Sequence, residues 1–128
     1  MRDHKSLLAW QHAHEVVVAV TAARTQYWSP PTGAIFDQLQ RAALSVQLNI
    51  AEGYAFGSSR RFRYHLEVAY GSVIETIDLL ELIFELDLPP KAFSEPTLAH
   101  AVDSRGLLLG LIRRYRGAGG RPEPPPHT

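Results

Sequence analysis

Four stretches of helical spacing, separated by proline and glycine and with no run that alternates like a strand, predict an all-α fold: an antiparallel up-down-up-down four-helix bundle. Prolines at 30, 31, 89, 90 and 96 and the run from 122, together with Gly57-Ser58-Ser59, mark the breaks. At 128 residues, 45% apolar and 20% charged, the chain suits one globular domain and is too short for two. That domain is expected over about residues 1–116, with a disordered Pro/Gly-rich tail at about 117–128.

Helix 1 is expected at about 5–27, with Leu7, Trp10, His14, Val17 and Thr21 as its core stripe. Helix 2 is expected at about 33–55, burying Leu39, Ala42, Ala43, Val46 and Ile50. Helix 3, at about 59–87, follows an N-cap at Ser58 or Ser59. Its inward stripe reads Phe62, Leu66, Ala69, Val73, Ile77, Leu80 and Phe84, and Glu67, Asp78, Glu81 and Glu85 fall opposite. Val68, Leu79 and Leu82 form a second apolar ridge, which is either the flank of a wide stripe or a subunit interface. Helix 4, at about 95–115, starts from a Ser94-Glu95-Pro96 cap that puts an acid and a proline in its first turn.

Several function classes fall away on composition. Thirteen basic residues balance thirteen acidic ones, so no net field steers the molecule toward nucleic acid or an anionic membrane. The lack of cysteine excludes disulfides and thiol chemistry and makes a reducing cytoplasm the expected home. The longest apolar runs, Val16–Val20 and Leu107–Leu109, are far below a membrane span of about 20 residues. The first residues enter a helical pattern with no signal-peptide core.

The remaining polar features read as structural. Gln38, Arg41, Ser45, Asn49 and Glu52 make a ridge along helix 2, expected to be a buried hydrogen-bond network reaching Glu75 on helix 3. Catalysis would need a nucleophile or titrating base beside it, and helix 2 has no histidine, so no catalytic residue is assigned and no enzyme is expected. Di-metal bundles use Glu-x-x-His, whereas here the order is reversed in His12-x-x-Glu15 and His100-x-x-Asp103, so neither metal nor another cofactor is expected. His12 and His14, two apart, point to nearly opposite faces. Ser72 lacks the strand–turn–helix setting of a nucleophile elbow. Gly71, Gly106 and Gly110 interrupt helices at about 1 kcal/mol each, a cost that close backbone approach of another helix would offset. Arg60, Arg61 and Arg63 crowd the positive end of helix 3, which reads either as solvated or ion-paired charge or as an anion contact.

Leu8-Ala-Trp10-Gln-His-Ala, the run Gln38-Leu-Gln-Arg41-Ala-Ala-Leu-Ser45-Val-Gln-Leu-Asn49-Ile-Ala-Glu52-Gly53, and Ala69-Tyr-Gly71-Ser72-Val-Ile-Glu75 carry a resemblance. The chain resembles the bacterial four-helix-bundle proteins first noticed as open reading frames in intervening sequences of 23S ribosomal RNA genes. The accessory protein of diversity-generating retroelements is similar in fold but strongly basic. The resemblance implies a homo-pentamer. It leaves a non-enzymatic scaffold or interaction module as the first expectation, with a nucleic-acid or protein partner and no membrane. The alternative is a nucleic-acid-binding accessory protein contacting structured RNA or DNA through Arg60, Arg61 and Arg63.

Overall fold

A computed structural model describes residues 3–56 and 58–117. Gly57 and residues 118–128 lie outside these, whereas Gly117, the first residue of the expected tail, is helical. Among the described residues there are four long helices and no strand. They are α1 (Leu8–Tyr27), α2 (Gly33–Phe56), α3 (Ser59–Glu85) and α4 (Ser94–Gly117), preceded by a 3-10 turn at His4–Ser6.

The ends of the helices have local causes. Asp3 caps the 3-10 turn by accepting from the Lys5 amide at 3.0 Å, and the chain leaves that turn through extended Leu7. For this reason α1 begins at Leu8, later than spacing alone suggests. Between α1 and α2 the Trp28 indole lies directly over Gly33, where an added Cβ would fall 2.3 Å from the ring. Asp37 Oδ1 holds this turn, accepting from Trp28 Nε1 at 3.1 Å and Arg24 Nε at 2.9 Å. Ser58 is the N-cap of α3, its hydroxyl accepting from the Arg61 amide. Helix α4 starts at the expected cap itself, one residue earlier than expected: Ser94 is already helical and buried, and the Phe93 carbonyl receives the Thr97 hydroxyl at 2.6 Å.

Burial largely alternates three- and four-residue steps. In α1 the buried positions are Ala9, Ala13, Val16, Val20 and Ala23; in α2 they are Gly33, Phe36, Leu39, Ala43, Val46, Ile50 and Gly53, with Ala42 beside them. In α3 they run Phe62, Leu66, Ala69, Val73, Thr76, Leu80 and Ile83, with Ile77 beside them, and in α4 Ser94, Thr97, Ala101, Ser104, Leu108 and Ile112. A mean step of 3.5 is the coiled-coil seam.

This repeat corrects two readings of the sequence. The buried face of α1 is the alanine-valine stripe, and Leu7, Trp10, His14 and Val17 are half-buried flanks while Thr21 is exposed. Alanine wins because small side chains let helices approach, leaving larger neighbours to cover the edges. At the end of α3 the 3.5 repeat selects Ile83, so Phe84 turns outward with 60% of its surface exposed. Of the second ridge, Leu79 is half-buried against the core as the flank of a wide stripe would be, while Val68 and Leu82 are exposed.

Each helix packs on the two beside it, in the cycle α1–α2–α3–α4, while the backbones of α1 and α3, and of α2 and α4, stay apart. At mid-height Ala13, Val16, Ala43, Val46, Val73, Thr76, Ala101 and Ser104 close the centre with no room for a water molecule. The two hydroxyls there are satisfied: Thr76 donates to the Ser72 carbonyl at 2.8 Å and Ser104 to the Ala9 carbonyl at 3.1 Å.

Helix α3 stops in a left-handed turn. Asp87 has φ +54°, and the Leu88 amide returns to the Ile83 carbonyl at 3.1 Å. Glycine is the residue that adopts this conformation without penalty. Replacing Asp87→Gly should stabilise the fold by about 0.5–1 kcal/mol, seen as a higher urea midpoint. The exposed Lys91 pair it would lose contributes little.

Candidate functional site

Two regions concentrate polar and charged side chains: the outer edge of the α2–α3 contact, and the end where α2 passes into α3. The first contains the ridge expected from the sequence. Gln38, Ser45 and Asn49 flank the α2 seam and are half-buried. Gln38 Nε2 donates to Glu75, Ser45 and Ser72 share a hydroxyl hydrogen bond at 2.7 Å, and Asn49 Nδ2 reaches both the Ser45 carbonyl (2.8 Å) and its Oγ (3.2 Å). His65 Nδ1 donates to Asn49 Oδ1 at 2.9 Å and completes the ladder.

The network is therefore real but shallower than expected. Arg41, Glu52 and Glu75 are exposed, because the 3.5-residue seam rotates their positions away from the centre. Arg41 bonds Gln38 Oε1 at 2.8 Å, and Glu52 joins none of these hydrogen bonds among the described residues. Ser72 and His65 belong to the ladder and were missed. They lie on α3 opposite Ser45 and Asn49, and only the pairing of the two helices brings them in.

The second region is built by α2, α3 and α4. Phe62 meets Tyr115 edge-on at 5.1 Å, so the last turn of α4 stands beside the first turns of α3. Gly53, Tyr54, Ser58, Ser59, Phe62 and Tyr115 line a groove of about 330 Å³ there. Arg60 is exposed, and Arg63 is half-buried. Arg61 is committed within the chain, its guanidinium lying 4.2 Å over the Phe56 ring. The rings of Phe56 and Tyr64 are exposed here, and Arg113 is exposed on the last turns of α4, whereas Arg114 lines a separate groove with Ser6, Leu7 and Leu8 beside the start of α1. The acidic side chains Asp78, Glu81 and Glu85 lie toward the other end of α3. A zero net charge thus conceals two unlike ends.

A family-level comparison adds to this geometry. The model for the family described as 23S rRNA-intervening sequence protein matches residues 5–108. The chain belongs to that family. The matched span takes in α1, α2, α3 and most of α4, so the 23S rRNA-intervening sequence protein match covers the polar ladder and the α2–α3 side of the second region and ends before Tyr115. No curated protein matches the chain.

The histidines of this family member sort by helix contact. His12 faces α4, with its Nδ1 2.9 Å from that of His100, whereas His14 faces α2 and donates to Gln47 Oε1 at 3.1 Å. Asp103 stands 4.0 Å from His12, and Glu15 is exposed. Among the described residues no set of three or more His, Asp or Glu side chains is placed to hold a metal ion.

The two halves of the polar ridge predict different mutational costs. Asn49→Ala removes three hydrogen bonds at a half-buried site and should cost about 1–3 kcal/mol. Arg41→Ala, at an exposed site, should cost under about 1 kcal/mol. Urea unfolding of the two variants measures the contrast.

Proposed function

We propose that this 23S rRNA-intervening sequence protein is a non-enzymatic helical module that assembles with copies of itself through the outer face of α3. In this reading the helices run up-down-up-down. The pairings Thr21–Gln40 and His14–Gln47, then Gln38–Glu75 and Asn49–His65, support it, since numbers rise on one helix as they fall on the next. The observation that carries the assembly reading is the exposed stripe Tyr64, Val68, Gly71, Ile74 and Leu82. Val68 and Leu82 are 36% and 37% exposed and Ile74 is 42% exposed, all on one side of a single helix. Soluble chains seldom leave such a ridge in water. The family resemblance supports a pentamer, and the absence of cysteine supports a cytoplasmic setting. No helix among the described residues is long and apolar enough to cross a membrane.

Light scattering on the full chain tests this. The wild type should run at a multiple of the subunit mass, and Val68→Glu with Ile74→Glu should lower it. A wild type that runs as a monomer, or an unchanged mass in the variant, counts against the reading.

A second reading is favoured by the arginine end. Arg60 and Arg63, with Tyr64 and Phe56 exposed on the same turns, join positive charge to aromatic surface as nucleic-acid contacts do. In a ring of subunits the patch would repeat around one rim and act multivalently. Binding to structured RNA should weaken steeply with salt and fall for Arg60→Glu with Arg63→Glu in a gel shift. Absence of any shift at low salt leaves the self-assembly reading alone.

A further inference from the structure

We propose that the α1–α4 contact is a proton-sensitive joint, in which His12 and His100 hold the two helices through one N–H···N hydrogen bond that a second proton breaks. The two Nδ1 atoms face each other at 2.9 Å, and the rings lie 5.2 Å apart at 42°. A neutral imidazole has one donor nitrogen and one acceptor nitrogen. The contact therefore needs one ring protonated at Nδ1 and the other bare there. A first extra proton fits, because it goes to the outer nitrogen of the donor ring and leaves the bond in place. A second has only the bare Nδ1 to take. Two N–H groups would then point at each other, each on a cationic ring.

The surroundings favour one charge over two. Asp103, three residues beyond His100 on α4, has its carboxylate 4.0 Å from His12 Nδ1 and is mostly exposed. It supports a single cation and is screened by water against the second. On α1, Glu15 is exposed about one turn on, and His14 turns to α2. From α2, packed on α1, and α3, packed on α4, no charged side chain among the described residues bonds either ring. No basic group faces the pair in these contacts, and no second acid compensates it.

The other histidines at helix contacts behave differently. His14 Nδ1 donates to Gln47 Oε1 and His65 Nδ1 donates to Asn49 Oδ1. In both, the other ring nitrogen takes a proton without touching the hydrogen bond. Of these three histidine contacts only the one between α1 and α4 is broken by a proton, and its neighbour there is the buried Ser104 hydroxyl on the Ala9 carbonyl.

The sign follows from proton counting. The unfolded chain can carry an extra proton on both rings at once, whereas the facing Nδ1 atoms of the folded contact leave room for only one. The unfolded state then holds more protons, so stability falls with falling pH, and one proton corresponds to a tenfold loss in the folding constant per pH unit.

Urea unfolding of the full chain between pH 7.5 and 5, on the wild type and His100→Gln, tests the joint. Glutamine offers an oxygen to the His12 N–H and has nothing to titrate. The wild type should lose up to tenfold more of its folding constant per pH unit than His100→Gln. Equal pH dependence in the two would overturn the proposal. Nitrogen-15 spectra of the wild-type imidazoles give a second readout that needs no variant. At neutral pH one Nδ1 of the pair should carry hydrogen and the other not, and two bare or two protonated Nδ1 atoms would also overturn it.

Discussion

The 3.5-residue seam is the constraint on which the rest of this molecule depends. Each helix buries one residue every three or four, and at mid-height the layer is made of alanine, valine, threonine and serine, with no space for water. Small side chains bring the axes close, and close axes fix which positions become flanks. At the α2–α3 contact the helices approach closely where Gly53 meets His65: a Cβ on Gly53 would lie 2.7 Å from that of His65. With that contact set, Asn49 falls opposite His65 and Ser45 opposite Ser72, and the polar ladder is a consequence of the packing.

Much of the architecture was legible in the sequence because proline and glycine separate helices in a way that survives any packing arrangement. The expected bounds of α2 and the start of α3 differ from those found by at most a residue, since Ser58 caps locally and needs no partner. The α1 stripe was not legible. A reading by hydrophobicity prefers Leu7, Trp10 and Val17 to Ala9 and Ala13, yet the neighbouring helices reward closeness over bulk. Phe84 failed for a related reason, since stepping four residues from Leu80 selects it and the seam steps three to Ile83.

The candidate sites were legible only as residue types. Arg41 and Glu52 share a helical face with Asn49, so spacing alone groups them, but burial separates them by a fraction of a turn. His65 and Ser72 were missed because their roles arise between two helices and need the pairing of both. A count of charges hid the most, because thirteen of each sign says nothing of where they sit. Arginines gather beside the α2–α3 turn and acids toward the other end of α3, so the field of the folded chain has a direction although its sum is zero.

Two kinds of glycine make the same distinction between inside and outside. Gly33 and Gly53 are buried, and each has a neighbour that leaves no room for a Cβ: the Trp28 ring at one, the first side-chain atom of His65 at the other. Their lost helix propensity is offset within the chain by close packing. Gly71, Gly106 and Gly110 are exposed in helix interiors, and a Cβ on any of them would meet nothing within 4 Å. Each costs about 1 kcal/mol against alanine, and the subunit alone offers no contact to offset it. Gly71 lies in the exposed α3 stripe, and Gly106 and Gly110 line a groove between α1 and α4 with Leu8, Leu107 and Leu111. Backbone that is bare on its outer side, beside apolar side chains also facing outward, is what a helix needs to receive another helix closely. The physical argument that explains Gly53 inside the chain, applied to Gly71, supports the self-assembly we propose.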